Sequence, residues 1–143
     1  FPTRTVRTGE DKIALILPSC ALLDVLKLEG ANMTGLHLMV DGVTDRVLTA
    51  KDLFHFLVRC PGVIGMMVIR GPEVFRTETG ICGITVIAES HIAIHVKGRE
   101  VHVDVFSCRR FETAKAIHFI QNDLGLEQYR VQQIERTSKL SYV

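Results

Sequence analysis

Two nucleophilic side chains, the hydroxyl of Ser90 and the thiol of Cys108, lie at the ends of neighbouring apolar segments that alternate with period two. Such alternation is typical of half-buried strands, and the intervening Lys97-Gly98-Arg99-Glu100 is typical of a hairpin turn. With Gly98 and Arg99 at the centre of that turn, antiparallel pairing places Ser107 opposite Ser90 and Cys108 opposite Glu89. This arrangement suits nucleophilic chemistry at the Glu89-Ser90 peptide bond, although a turn serine and a small core cysteine would leave the same pattern.

Three histidines are expected on one face of the same hairpin. His91 and His95 are an even number of residues apart, and the hairpin register places His102 opposite His95. Imidazoles can bind zinc, but no carboxylate or thiol joins these three at a spacing typical of a metal site. We therefore expect solvated or hydrogen-bonded histidines and no metal.

Hydrophobic periodicity predicts the elements that position these residues. Helices are predicted over Ala50–Arg59 and Glu112–Leu124. Strands are predicted over Gly35–Asp41, Val63–Ile69, Ile84–Ala88, His91–Val96, Val101–Phe106 and Tyr129–Glu135. Thr49 is expected to cap the first helix, Pro61-Gly62 to end it, Gly71-Pro72 to form a turn and Gly125 to end the second helix.

The order β-α-β-β-β-β-α-β predicts an α+β fold, a two-layer α/β sandwich with helices packed on one face of an antiparallel sheet. No repeat or linker divides the chain, so we expect one domain over 1–143, with residues 1–30 as an N-terminal extension. The apolar stretch Ile13–Leu28 contains Pro18, Asp24 and Lys27, so it is too broken to span a bilayer. We expect a buried or oligomer-facing helix there.

The charge balance is close to neutral, with 17 Lys and Arg against 16 Asp and Glu and a formal net charge of +1. Neither a nucleic acid nor a membrane is therefore expected as a partner. The four cysteines form no CxxC pair, which argues against a disulfide framework or a structural zinc site and favours a cytoplasmic location.

The segment from Gly80 to His95, GICGITVIAESHIAIH, and the segment from Val103 to Cys108, VDVFSC, together closely resemble the core of the prokaryotic S-adenosylmethionine decarboxylases. Weaker similarity extends over about residues 33–136. Glu-Ser-His, Ile-x-Ile-His and Phe-x-Cys in this order are far more specific than any one of them.

The resemblance implies a self-processing, pyruvoyl-dependent carboxy-lyase. Ser90 would attack the carbonyl of Glu89, and β-elimination followed by hydrolysis would separate residues 1–89 from 90–143 and leave a pyruvoyl group at position 90. This cofactor would form a Schiff base with the amine of the substrate and take up the electrons left by CO₂. The reaction would supply the aminopropyl donor for polyamine (spermidine) biosynthesis.

The resemblance also assigns roles to two further residues. His95 would accept the proton lost during processing, and Cys108 would donate a proton to the substrate carbon. Because five residues of extended chain separate Ser90 from His95, about 16 Å, the two cannot meet within one straight strand. We therefore expect a homodimer with an interfacial active site, in which Ser90 and Cys108 come from one chain and His95 and Cys82 from the other.

The chain departs from the family pattern at two places. Cys82 occupies a position that usually carries Ser or Thr and supports processing, and a thiol is a weaker donor than a hydroxyl. The turn after His95 is short and lacks the Thr-Trp-Pro-Glu whose acid holds the ribose hydroxyls, and Glu100 is the candidate replacement. Phe75 roughly matches a phenylalanine that stacks on adenine, but a core residue at a strand end would satisfy the same pattern.

Three functions remain open on the sequence. The first is decarboxylation of S-adenosylmethionine. The second is the same pyruvoyl chemistry on arginine or ornithine, which the altered ribose-binding turn would permit. The third is an uncleaved paralogue that acts as a binding or regulatory partner.

Overall fold

The computed structural model describes residues 4–7, 13–16, 33–88 and 90–137, with side chains from Gly35 to Arg136. The strands are β1 (Arg4–Arg7), β2 (Ile13–Ile16), β3 (Met33–Thr44), β4 (Val68–Arg76), β5 (Ile81–Ile87), β6 (Ser90–Lys97), β7 (Glu100–Ser107) and β8 (Leu126–Thr137). The helices are α1 (Ala50–Val63), between β3 and β4, and α2 (Thr113–Leu124), between β7 and β8.

Six strands form one antiparallel sheet in the order β4-β5-β6-β7-β3-β8, while β1 and β2 pair with each other in a separate two-stranded sheet. Strands β4, β5 and β6 each pair with their successor in the chain, as is usual for strands joined by short turns. Strand β3 lies between β7 and β8. The two strands that carry most of the candidate residues, β6 and β7, are therefore interior strands, held by backbone hydrogen bonds on both sides.

The two helices pack on one face of this sheet. Buried side chains of α1 and α2 join those of the strands in one core, which includes Leu53, Phe56, Leu57, Ile92, Ile94, Val103, Ala116 and Ile120. Along β6, buried Ser90, Ile92, Ile94 and Val96 alternate with the more exposed His91, Ala93, His95 and Lys97. We call the side that holds the first set the covered face and the side that holds the second set the open face.

Local chemistry explains where the helices begin and end. The Thr49 side chain accepts a hydrogen bond from the N–H of Asp52, whose carboxylate accepts one from the N–H of Thr49, a capping box at the start of α1. The bond from the Thr49 N–H is the main cause that lowers the pKa of Asp52. Helix α2 ends at Gly125, which adopts a left-handed φ of 66° that a side chain would disfavour.

The predicted fold class is confirmed, as is the order β-α-β-β-β-β-α-β over residues 33–137. The hairpin register is also confirmed: Lys97 pairs with Glu100, His95 with His102 and His91 with Phe106. Gly98, in the turn, has the positive φ expected there, 60°. Strands β3 and β8 are each 12 residues long, longer than predicted at both ends, because they pair with each other along nearly their whole length.

The predicted end of the first helix is wrong. Helix α1 continues through Pro61 and Gly62 to Val63. A proline lacks the N–H that would bond to the carbonyl four residues earlier, but Pro61 lies in the last turn, where the helix loses only one such bond. The ring of Pro61 is buried against the core, and this packing offsets the loss.

The strand predicted over Val63–Ile69 and the turn predicted at Gly71-Pro72 are also wrong. Strand β4 begins at Val68 and includes both Gly71 and Pro72. At this point its pairing with β5 shifts register, and Gly71 has a φ of 97°. Because β4 is an edge strand, it tolerates a proline and a bulge where we expected a chain reversal.

The helix predicted over Ile13–Leu28 is wrong for its first residues, because Ile13–Ile16 is strand β2, paired with β1. The rest of that segment lies outside the described residues. In the described part of the chain, neither helix is long and apolar enough to cross a membrane.

Candidate active site

Ser90 and Cys108 are in contact, as the hairpin register predicts. Ser90 is the first residue of β6, and Cys108 directly follows the last residue of β7. The N–H of Cys108 donates to Oγ of Ser90 over 3.1 Å, and the Ser90 hydroxyl donates to Sγ of Cys108 over 3.6 Å. Both residues are buried on the covered face. The backbone of the β7 terminus therefore holds the serine oxygen in one orientation.

The sulfur of Cys108 is disulfide-bonded, which the cysteine spacing did not lead us to expect. Spacing rules detect CxxC pairs and small disulfide scaffolds, and they miss single bonds between cysteines distant in the sequence. Cys60 and Cys82 are free. Any function of Cys108 as a thiol therefore belongs to the reduced protein.

Cys82 and His95 form a second pair, on the open face. They are directly opposite each other on β5 and β6, and Sγ of Cys82 lies 3.1 Å from Nδ1 of His95. Nε2 of His95 has no hydrogen-bond partner among the described residues. Nε2 of His95 is therefore available to a ligand or a second chain that contacts the open face.

Phe75 lies beside this pair on the neighbouring strand. Together Phe75, Cys82 and His95 form a row of cross-strand neighbours on the open face. Phe75 is opposite Cys82 on β4, and the residue is 52% exposed. A core role at a strand end, which the sequence left open, is therefore excluded. An exposed ring beside the Cys82–His95 pair is available to stack on a planar ligand.

The two pairs lie on opposite faces of the sheet. Ser90 is buried on the covered face, whereas His95 is exposed on the open face, five positions along the same strand. An odd separation along a strand directs two side chains to opposite faces. Within one chain the structure brings Ser90 to Cys108 and Cys82 to His95, and it does not bring the two pairs together.

Asp41 and Arg130, which the sequence reasoning missed, continue the row on the other side of His95. Oδ1 of Asp41 lies 2.7 Å from Nδ1 of His102, and Arg130 donates through Nε to Oδ2 of Asp41 over 3.0 Å. The hydrogen bond with His102 is the main cause that lowers the pKa of Asp41, and burial acts against it. Pairing of β3 with β7 places Asp41 opposite His102. This contact can be predicted only when it is known that β3 is the neighbour of β7 in the sheet.

His91 is separate from this row. Its ring lies 5.7 Å from that of Phe106, and burial, followed by the nearby His37, lowers its pKa despite the opposing effect of Asp104. Nε2 of His37 lies 3.0 Å from Oδ1 of Asp104. Among the residues with described side chains, no group of three or more His, Cys, Asp or Glu is placed to hold a metal ion.

The remaining candidates are Glu100 and Glu89. Glu100 is exposed at the hairpin end of the open face and borders an open depression together with Asp41, His102, Tyr129 and Arg130. Its carboxylate is thus near the His95 row but at its margin. Glu89, the residue before the predicted cleavage point, lies outside the described residues.

Comparison with known proteins gives a consistent result. The sequence profile of the S-adenosylmethionine decarboxylase family matches residues 36–137. The S-adenosylmethionine decarboxylase proenzyme of Saccharolobus islandicus is 30% identical over 98 residues, which is 66% of this chain and 80% of that protein. The proenzyme of the same name from Thermococcus onnurineus is 28% identical over 109 residues, covering 71% of this chain and 77% of that protein.

A solved structure shares the fold. The adenosylmethionine decarboxylase from Aquifex aeolicus superimposes with a TM-score of 0.65 at 23% identity, covering 79% of this chain and 98% of that one. The family profile spans the sheet, both helices and both residue pairs of the candidate site. The chain therefore belongs to the S-adenosylmethionine decarboxylase family, a family of carboxy-lyases.

Proposed function

We propose that this protein is a self-processing, pyruvoyl-dependent S-adenosylmethionine decarboxylase that supplies the aminopropyl donor for polyamine synthesis. The observation that carries the proposal is the position of Ser90. Its Oγ is fixed by the N–H of Cys108 at the start of β6, directly after the Glu89-Ser90 bond. The relatives named above are proenzymes of this activity, which favours S-adenosylmethionine over arginine or ornithine as the substrate.

Self-cleavage begins at the Ser90 hydroxyl. Oγ attacks the carbonyl carbon of Glu89, and the acyl group moves from the nitrogen of Ser90 to its oxygen. Loss of the Cα proton then breaks the Cβ–Oγ bond and releases the upstream chain as a carboxylate, and hydrolysis frees ammonia and leaves the pyruvoyl group. The hydrogen bond from the Cys108 N–H supports this step because it orients the attacking oxygen before the reaction starts.

The residues around position 90 fit this group. The serine from which it forms is buried and begins a strand; its Cβ would become the methyl group and its Cα the keto carbon, whose oxygen would take the place of the Ser90 nitrogen. When present, the pyruvoyl carbonyl binds the substrate amine and withdraws electrons from the bond to the carboxylate. Cys108, in its reduced form, is the proposed proton donor to the substrate carbon.

His95 and Cys82 are proposed to act on Ser90 of a partner chain. His95 accepts the Cα proton of Ser90 through Nε2. This requires the proton on Nδ1, with Sγ of Cys82 as the acceptor at 3.1 Å. Cys82 therefore fixes the tautomer of His95, and a hydroxyl in its place would serve the same purpose.

A homodimer is proposed because the open face of the sheet exposes apolar side chains beside its polar ones. Phe75, Ile84, Val86 and Ile134 are each at least one-third exposed on this face. Exposed apolar side chains in one region of a sheet are typical of an interaction surface. In a two-fold dimer formed through this face, the Cys82–His95 pair of each chain is proposed to lie against the start of β6 in its partner, where the backbone Cα of Ser90 belongs to neither face of the sheet. This arrangement creates two identical sites, each with one pair of residues from each chain.

The substrate is proposed to lie across the same face. Its adenine stacks on Phe75, and a carboxylate at the hairpin end, Glu100, accepts hydrogen bonds from the ribose hydroxyls. Both residues flank the Cys82–His95 pair, Phe75 on β4 and Glu100 at the start of β7. The cationic sulfonium of S-adenosylmethionine also suits a site edged by a carboxylate.

Release of labelled CO₂ tests the substrate directly. The reduced, self-cleaved protein is incubated in parallel with carboxyl-labelled S-adenosylmethionine, arginine and ornithine. We expect release from S-adenosylmethionine, and loss of that release on treatment with borohydride, which reduces the pyruvoyl adduct. Release from arginine or ornithine alone would assign the protein to the second substrate class, and no release from any of the three would contradict the proposed activity.

A further inference from the structure

Cys82 gives the site a chemistry that the usual hydroxyl at this position lacks. Its sulfur lies 3.1 Å from Nδ1 of His95. A thiol beside an imidazole is a nucleophile beside its base, because the imidazole can take up the proton that the thiol gives up as it reacts. Serine or threonine at the same place would have no comparable reactivity toward sulfur.

The surroundings of Cys82 distinguish it from the other free cysteine of the described chain. Cys82 is partly exposed on the open face, beside the exposed ring of Phe75. Cys60 is completely buried, and burial, followed by the charge of Asp123, raises its pKa to about 12. Cys60 therefore serves as an internal control for thiol reactivity.

We propose that Cys82 is a site of reversible thiol–disulfide exchange with low-molecular-weight disulfides, and that its modification stops self-cleavage. The exchange itself follows from the Cys82–His95 geometry alone. Its effect on processing rests on the proposed function. In the single chain Cys82 is partly exposed on the open face, so a small disulfide can approach its sulfur before two chains associate through that face.

The exchange needs no reagent besides the disulfide. Sγ of Cys82 attacks one sulfur of the disulfide, a new S–S bond forms and the old one breaks. This exchange uses the other tautomer of His95 from the one needed for processing: Nδ1 accepts the proton of Cys82, and Nε2 gives its own proton to the departing thiolate, which leaves as a free thiol. A second thiol reverses the reaction.

Modification stops processing because it changes the partner of His95. The mixed disulfide places a bulky group where the sulfur contacts Nδ1, and this group displaces the imidazole from its place on the open face. His95 then no longer presents Nε2 in the tautomer and orientation needed to accept a proton. Loss of general base catalysis lowers a rate by about 10² to 10⁴.

The first experiment measures the exchange in a protein that cannot process itself. The Ser90→Ala variant is treated with bis(2-hydroxyethyl) disulfide, a neutral probe, and the modified cysteines are quantified by peptide mass spectrometry over time. We expect Cys82 to react at least about tenfold faster than Cys60. Adding His95→Gln should slow the reaction of Cys82, whereas adding His102→Gln, on the opposite side of His95, should not. Equal rates for Cys82 and Cys60, or no effect of His95→Gln, would overturn the exchange site.

The second experiment measures processing in the freshly made proenzyme with and without the probe. Cleavage of the unmodified sequence should slow at least about tenfold and recover on addition of a small thiol. In the Cys82→Ser variant the probe should leave the cleavage rate unchanged. This result would show that the probe acts through Cys82 and not through Cys108. Labelling of Cys82 without any change in cleavage would overturn the regulatory half of the proposal. A protein that never cleaves would contradict the proposed function and leave the first experiment to decide on the exchange site.

Discussion

At the scale of single residues, the site consists of two pairs with different surroundings. Ser90 is buried, and its Oγ accepts a hydrogen bond from the N–H of Cys108. Cys82 and His95 are on the open face, where they can reach another chain or a ligand. Strand register places Cys82 opposite His95 and brings the end of β7 beside Ser90.

Replacement of Cys108 by alanine should separate the two reactions of the site. The backbone N–H that orients Ser90 is retained, so self-cleavage should continue. Decarboxylation should fall by about 10² or more because the proton donor is lost. Cleavage is measured by gel electrophoresis and turnover by CO₂ release, with Cys60→Ala as a control that retains both. Full turnover in Cys108→Ala would remove Cys108 from the proposed mechanism.

His91 should make the fold less stable in acid. Burial and the neighbouring His37 lower its pKa in the folded state, so the unfolded chain takes up the proton first as the pH falls. The free energy of unfolding should therefore decrease below about pH 6.5, the ordinary pKa of histidine. In His91→Gln this decrease should be smaller, whereas exposed His55→Gln should retain it. Urea unfolding between pH 7 and pH 5 measures the difference, and identical curves for the two variants would exclude this role.

At the scale of elements, the prediction from sequence succeeded where pattern and turn chemistry agree. The alternation in β6 and β7, together with Gly98 in a turn that requires positive φ, correctly predicted that Ser90 lies beside Cys108. Prediction failed where packing decides the outcome, as at Pro61, which α1 retains because its ring is buried. It also missed Asp41, because the neighbour of β7 in the sheet comes from a strand far away in the sequence, and short-range patterns carry no information about such pairing.

Gly80 should be essential for the register that aligns Cys82 with His95. A Cβ at this position would collide with the backbone carbonyl oxygen of Val96, at the end of β6 that holds His95. Because a backbone atom cannot rotate away, Gly80→Ala should destabilise the fold by about 1–3 kcal/mol. In Gly62→Ala the added methyl meets no atom within 4 Å, so this helical control should be neutral or slightly stabilising. Urea unfolding compares the two, and equal stability would contradict the close approach of β5 and β6 at Gly80.

At the scale of the whole molecule, the sheet has one face covered by helices and one face that combines apolar side chains with the Cys82–His95 pair. The position of the pairs on opposite faces supports a site completed by a second chain, since Ser90 and His95 diverge within one strand. The sequence led to the same expectation through the length of the strand, and the alternation of faces now adds an independent reason. The fold class followed from the order of elements alone.

Complementation between two inactive variants tests the shared site. Ser90→Ala lacks the residue that is cleaved, and His95→Gln lacks the proposed base, so neither homodimer should process. In a mixed dimer, Ser90 of the second variant meets His95 of the first, and one of the two sites is restored. Co-expression with distinct tags should therefore yield cleavage of the His95→Gln chain only. Cleavage of that chain when it is expressed alone, or none in the mixture, would contradict the interfacial site.

The most direct test of the central claim, that Ser90 becomes the cofactor, is the intact mass of the purified protein under reducing conditions. We expect two chains, the smaller one beginning at position 90 and blocked by a pyruvoyl group. Ser90→Ala should remain a single chain, while Ser107→Ala, which changes the adjacent buried serine at the end of β7, should still cleave. A single uncleaved chain for the unmodified sequence, or a smaller chain with a free amino group at Ser90, would contradict the account.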